Sequence, residues 1–207
     1  MKKKILWIVI SLLFLLAFAS FTYLVKEDVF NRLDFDITVR LQDNLPKKYD
    51  EFLSSFSLIG SFEILAGLIF LILLLRRKII SFLVFVPFVG AHIVEIIGKA
   101  IVHHPGPPHM FFRYNLDFLF PSSYVQPGSS YPSGHSMRTV FVSTLFFYLI
   151  IKSKINILAK IFTIGLLIVF NGVMLISRVS LGEHWTSDVV GGALLGASAA
   201  FFSYLFL

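Results

Sequence analysis

The sequence predicts an all-α integral membrane protein, a bundle of six transmembrane helices. Of its 207 residues, 57% are hydrophobic and 14% charged, and the mean hydropathy is +0.83. Soluble domains rarely carry that balance. The apolar residues are also gathered into runs close to the ~20 residues that a helix needs to cross a ~30 Å hydrocarbon layer. The basic residues, finally, are dispersed around those runs. A chain of this length is expected to form one membrane-embedded domain over residues 1–207.

The first run, Ile5–Leu24, follows Lys2, Lys3 and Lys4. Such a start also describes a secretory signal, and Ala17-Phe18-Ala19 fits a small-x-small cleavage site. The run continues past that site through Val25, longer than a signal's apolar core, so a retained helix is expected. Residues 25–56 mix charges with spaced apolar residues. They suit either an amphipathic helix on the membrane surface or a solvated connection. Ser57–Leu75 and Ile79–Gly98 are the second and third expected spans. The fourth, Met137–Ile151, is short and should extend through Ser136 into the polar loop before it. Ile157–Ile176 is the fifth. The sixth, Thr186–Leu207, carries Gly191, Gly192 and Gly196 at helical spacing, which suits close helix packing.

Charge bias gives an orientation. With the N-terminus inside, the inner side receives Lys2, Lys3, Lys4, Arg76, Arg77, Lys78, Lys152, Lys154 and Lys160 and no acid. Both termini are then cytoplasmic. Segments 25–56 and 99–136 and the stretch Ser177–His184 face outside, the outer face of a bacterial-type plasma membrane. The net charge of +6 is dispersed around apolar segments, so it fits orientation in a bilayer and not nucleic-acid binding. The absence of cysteine excludes disulfides, thiolate metal sites and a cysteine nucleophile.

Three polar clusters fall on the outer side. The last, "SRVSLGEHWTSD" at 177–188, puts His184 and Asp188 four apart on one face of a starting helix. A carboxylate so placed can hold the proton on one imidazole nitrogen and leave the other as nucleophile or base. Arg178 is a planar fork suited to phosphate or carboxylate, and Trp185 suits an interface. In "SYPSGHSMRT", Pro132 forms a turn, Ser133 caps, and Gly134 lets backbone approach a ligand at a helix N-terminus, which attracts anions. His135 stands at its mouth with Arg138 on the same face. In "GKAIVHHPGPPHMFFR", Lys99 shares a stripe with His92 and Glu95, and Glu63 is a possible partner; a structural network accounts for Glu63 and His92 better than catalysis does. A zinc reading of His103, His104, His109, His135, His184 and Asp188 lacks any HExxH spacing and is opposed by neighbouring cations. No metal or other cofactor is expected. Positive charge, a nucleophile and an acid together suit phosphoryl transfer.

These motifs resemble the type 2 phosphatidic acid phosphatase (PAP2) family, lipid phosphatases related to vanadium haloperoxidases. Its signature is K-x6-R-P, P-S-G-H and S-R-x5-H-x3-D. The second part is complete at Pro132–His135 and the third at Ser177, Arg178, His184 and Asp188. The resemblance implies that His184 attacks phosphorus to form a phosphohistidine, that Asp188 holds it, and that His135 protonates the leaving group. It further implies that Lys99, Arg178, Ser133 and the Gly134 amide grip the phosphoryl oxygens. One position departs: where the family has arginine after Lys99, this chain has Gly106. Arg138 is the preferred replacement, being one turn from His135; Arg113 and a protonated His104 are the other candidates. The expected substrate is a lipid phosphate or diphosphate, such as a polyprenyl diphosphate, phosphatidic acid or phosphatidylglycerol phosphate. A phosphotransferase, or a non-catalytic lipid-phosphate binder motivated by Gly106, are the alternatives. Neither substrate choice nor oligomeric state is fixed by these residues.

Overall fold

The computed structural model describes residues 2–118, 120–121 and 129–207. Among these the fold is all-helical: α1 (Lys2–Lys26), α2 (Asn31–Asn44), α3 (Asp50–Ser57), α4 (Phe62–Arg76), α5 (Phe85–Ile101), α6 (Gly134–Lys152), α7 (Ile157–Ser180) and α8 (Thr186–Ser203). Within the expected outer segment 99–136, residues 119 and 122–128 lie outside the described ones.

Four stretches are long and apolar enough to cross a membrane: Lys4–Lys26, Ile79–Ile101, Gly134–Lys152 and Ile157–Ser180. The second expected span is built differently. A helical segment over Lys47–Gly60 meets α4 at a 49° bend, and the two together make a fifth candidate. The fourth span does extend back into the polar loop, since α6 begins at Gly134. The expected sixth span corresponds to α8, which has 18 residues and is rich in glycine, alanine and serine. Its composition follows from its position. It sits inside the bundle, against α6, α1 and α5, and there small residues matter more than a greasy surface.

Two contacts show why. On one side, Gly192 lies against the Ser133 carbonyl and Gly196 against the Met137 main chain, with no room for a Cβ at either. On the other, Ser11 Oγ donates to the Ser198 carbonyl and Ser198 Oγ to the Ser11 carbonyl, each at 2.9 Å. Inside a bilayer such hydroxyls need internal partners, and these two supply them reciprocally. Trp7 packs edge-on against Tyr204 with centroids 5.0 Å apart. The main apolar core lies towards that end, formed by Leu65, Ile69, Leu73, Phe88, Phe141 and Leu145 of α4, α5 and α6.

The segment after α1 does form a helix, α2, but its buried stripe is polar. Asp34 and Thr38 face the bundle while Leu33 and Phe35 are exposed. Gln42, one turn further, donates to the carbonyls of Phe111 and Ser180 at 2.7 and 2.9 Å. α2 is therefore docked largely through hydrogen bonds, while Leu33 and Phe35 stay exposed.

The α6–α8 crossing leads to a direct expectation. Gly196→Leu forces the helices apart against backbone that cannot yield and should destabilise by about 1–3 kcal/mol. Gly165→Ala, where nothing lies within 4 Å of the added carbon, should be neutral or slightly stabilising. Thermal melts in detergent compare the two; equal melting temperatures would contradict the packing account.

Candidate active site

The polar ends of α5, α6, α7 and α8 converge. Arg178, Arg138, Lys99 and His184 all lie within electrostatic reach of His135. Residues from the three sequence clusters are thus brought into one place.

His184 sits in the tight loop between α7 and α8. The Arg178 carbonyl accepts the amides of both Glu183 and His184, at 3.2 and 3.1 Å, which folds the loop back on the end of α7. Gly182 makes the turn possible. It has φ +71° and its α-carbon lies against the Phe111 carbonyl, so no side chain fits there. His184 Nδ1 then lies 3.4 Å from Asp188 Oδ2, which also accepts the Trp185 amide at 2.9 Å. With Nδ1 turned to the carboxylate, Nε2 is the atom available for chemistry. Burial pushes the His184 imidazole below its ordinary value; Asp188 opposes this, while Arg178 and Lys99 reinforce it.

Ser133 caps α6, its Oγ accepting from the Ser136 amide at 3.5 Å, and its own amide donates to the Asp188 carbonyl at 3.0 Å. The glycine after it has a specific reason. The Glu95 carboxylate occupies the space that a Cβ on Gly134 would take. Glu95 is also the hub for the cations of this end: Lys99 Nζ donates to Oε1 at 2.8 Å, His92 Nδ1 lies 3.1 Å from Oε2, and Arg138 Nη1 lies 3.7 Å from Oε2. Arg138 also donates through Nε to the Gly60 carbonyl at 2.9 Å, and its Nη2 lies 3.5 Å from His135 Nδ1. Arg178 is completely buried and pairs with Glu183. Its Nε has no hydrogen-bond partner among the described residues, an uncommitted donor at the site.

The candidates for the missing cation separate. Arg138 is inside the cluster. Arg113 is not: its guanidinium makes two bonds to Asp50, at 2.7 and 3.0 Å, and two more to the carbonyls of Gln42 and Leu45. It ties the loop after α5 to the end of α2 and the start of α3. His104 is buried against the far oxygen of Asp188, with Nδ1 3.0 Å from Oδ1. Gly106 lines a separate cavity with Asp34, His104 and Trp185.

Two participants, Glu183 and Asp34, escaped the sequence reading, and His104, expected only as a replacement cation, stands in another role. Glu183 as the partner of Arg178 and His104 as a partner of Asp188 join residues whose spacing carries no helical signal. Asp34, 154 positions from Asp188, carried none at all. Among the described residues, no group of three or more histidine, aspartate or glutamate side chains could hold a metal ion.

The PAP2 superfamily model matches residues 80–207, the part of the chain that carries every one of the motif residues. The chain belongs to the PAP2 superfamily. As a member it is a phosphoric ester hydrolase. Two solved structures are similar to it. One is a transmembrane PAP2-type phosphatidylglycerolphosphate phosphatase from Bacillus subtilis, with a TM-score of 0.75, 22% identity and coverage of 95% of both chains. The other is LpxE of Aquifex aeolicus, with a TM-score of 0.63, 20% identity and coverage of 84% of this chain and 96% of that one. At those identities the likeness is one of fold. No curated protein matches the sequence.

Two measurements bear on this geometry. His184 should titrate below the ordinary ~6.5 of histidine, so that its ring binds the second proton only as pH falls under that value. An imidazole titration by NMR with a midpoint at or above that value would oppose the burial account. Arg113→Ala breaks a buried ion pair and should cost about 3–5 kcal/mol of stability. The fraction that still folds should keep its KM, whereas Arg138→Ala should alter catalysis.

Proposed function

We propose that the protein is a metal-independent lipid phosphate phosphatase that works through a phosphohistidine. The observation carrying this reading is the His184–Asp188 pair set among Arg178, Lys99, Arg138 and His135. In the first step the lone pair on His184 Nε2 forms a bond to phosphorus as the bond to the leaving oxygen breaks. His135 donates its proton to that oxygen. Asp188 holds the proton on Nδ1 and stabilises the positive ring. In the second step His135, now a base, takes a proton from water. The water oxygen bonds to phosphorus, the nitrogen–phosphorus bond breaks, and phosphate leaves. Lys99, Arg178, Ser133 and the Gly134 amide hold the non-bridging oxygens, with Arg138 supplying the charge that Gly106 does not.

The substrate we favour is a membrane lipid carrying a terminal phosphate or diphosphate. The similar Bacillus subtilis structure is that of a phosphatidylglycerolphosphate phosphatase, which lends support. So does an apolar groove of about 500 Å³ between α6 and α7, lined by Val140, Phe147, Leu167, Ile168, Gly172 and Leu175. Its upper end, at Val140 and Leu175, is about one turn from His135 and Arg178, so a head group at the site can lay its hydrocarbon chain there. The arrangement we infer is six crossings in one domain, counting the α3–α4 pair and α8, with both termini cytoplasmic and the site on the outer face. The purely basic inner ends support that orientation.

Phosphate release from a panel of lipid phosphates by purified protein in detergent, with EDTA present, tests the reading. Release should survive EDTA and fall about 10⁴-fold or more in His184→Ala. Arg138→Ala should cost about 10²–10³-fold. Gly172→Phe, which fills the groove, should raise KM for a long-chain substrate and leave a short-chain phosphate unaffected. A folded wild type that releases nothing from any substrate would favour transfer or binding instead.

A further inference from the structure

Asp188 is fully buried and carries two imidazoles, one on each oxygen: His184 on Oδ2 at 3.4 Å and His104 on Oδ1 at 3.0 Å. Only the first belongs to the mechanism above. The second histidine is itself held. Its Nε2 lies 4.0 Å from Asp34 Oδ2, and Asp34 is anchored to the start of α8 by the amide and hydroxyl of Ser187, at 2.8 and 2.6 Å. Ser130 fixes the His104 main chain through its own amide, at 2.9 Å to the His104 carbonyl.

We propose that His104 is a positioning residue for the nucleophile: together with Asp34 it clamps Asp188 so that the carboxylate presents Oδ2 to His184. This rests on the assignment of His184 as nucleophile. The physical case is geometric. A carboxylate turns about its last torsion with little resistance, and the Trp185 amide and the long contact to His184 both engage Oδ2 alone. A second donor on the other oxygen removes that freedom. The same arrangement answers an electrostatic need. Asp34 and Asp188 are both buried acids on neighbouring elements, and a cation between them offsets their repulsion. Burial works against charge on His104, but the hydrogen bond and charge of Asp188, helped by Asp34 and by Asp28 beyond it, hold it above its ordinary value. Tyr131 is the other titratable group facing it, its ring centroid 6.4 Å away and edge-on. The outer edge of His104 borders a cavity of about 480 Å³ lined also by Asp28, Asn31 and Trp185, through which its proton can equilibrate with water.

The test uses the full chain in detergent with ¹⁵N-labelled histidine, its six resonances assigned by single substitutions. In the wild type, His104 should titrate at higher pH than His184, and each ring should carry a proton on Nδ1. Asp34→Asn, which preserves shape, should move the His104 midpoint to lower pH. His104→Asn should leave the His184 proton divided between its two nitrogens. On the lipid phosphate identified by the release panel, it should lower kcat roughly ten- to hundredfold with KM little changed, the scale seen for partners that orient a working histidine elsewhere. A wild-type His104 without a proton on Nδ1 overturns the proposal, and so does a His104→Asn protein with unaltered His184 spectrum and kcat. These spectra need no substrate, so an inactive wild type with the expected spectra counts against the phosphatase reading and not against the clamp. If His104→Asn does not fold, the wild-type and Asp34→Asn titrations still decide.

Discussion

The Asp188 carboxyl group and its own peptide carbonyl hold the site together. The side chain accepts from His184, His104 and the Trp185 amide, and the main-chain carbonyl accepts from the Ser133 amide. Through one residue the loop after α5, the capping turn of α6 and the loop before α8 are joined. A carboxylate with no access to water survives only when its lone pairs are used, and here the partners that use them are the chemical groups of the site. Stability and alignment therefore have the same origin at this position.

The cations follow a related rule. Lys99, Arg138 and Arg178 are collected at one end of the helices, and their mutual repulsion must be relieved. Glu95 and Glu183 do this from inside the protein. Under the proposed function, these acids temper the field, so that a phosphate-binding site need not be held apart by its own charge.

Much of the site was legible in the sequence because its chemistry is local. The four-residue step from His184 to Asp188, the Ser133 cap and the stripe joining His92, Glu95 and Lys99 are all consequences of helical spacing, and they appear as such. The close packing at Gly192 and Gly196 was readable for the same reason. What spacing could not carry was the meeting of distant loops. Arg113 sits near the site in sequence order, yet its fork is committed to Asp50. His104 reads as one of several histidines in a proline-rich stretch until Asp188 is found beside it. Asp34 looked like one charge among many on a surface helix, and α2 turned out to bury that polar side while Leu33 and Phe35 stay exposed. An interior helix such as α8 is selected for smallness, so hydropathy marks it weakly.

The inward-facing serines of α1 and α8 carry a consequence for how such proteins can be cut and recombined. The stretch that the superfamily model describes begins at residue 80, yet α8 inside it leans on Ser11 and Trp7, and its first turn on Asp34. The inherited module and the physical module have different borders. A chimera that grafts residues 80–207 onto a foreign leading segment inherits every motif and still leaves a helix of small polar residues facing lipid. Swaps between relatives must carry the first helix with the last, as a matched pair.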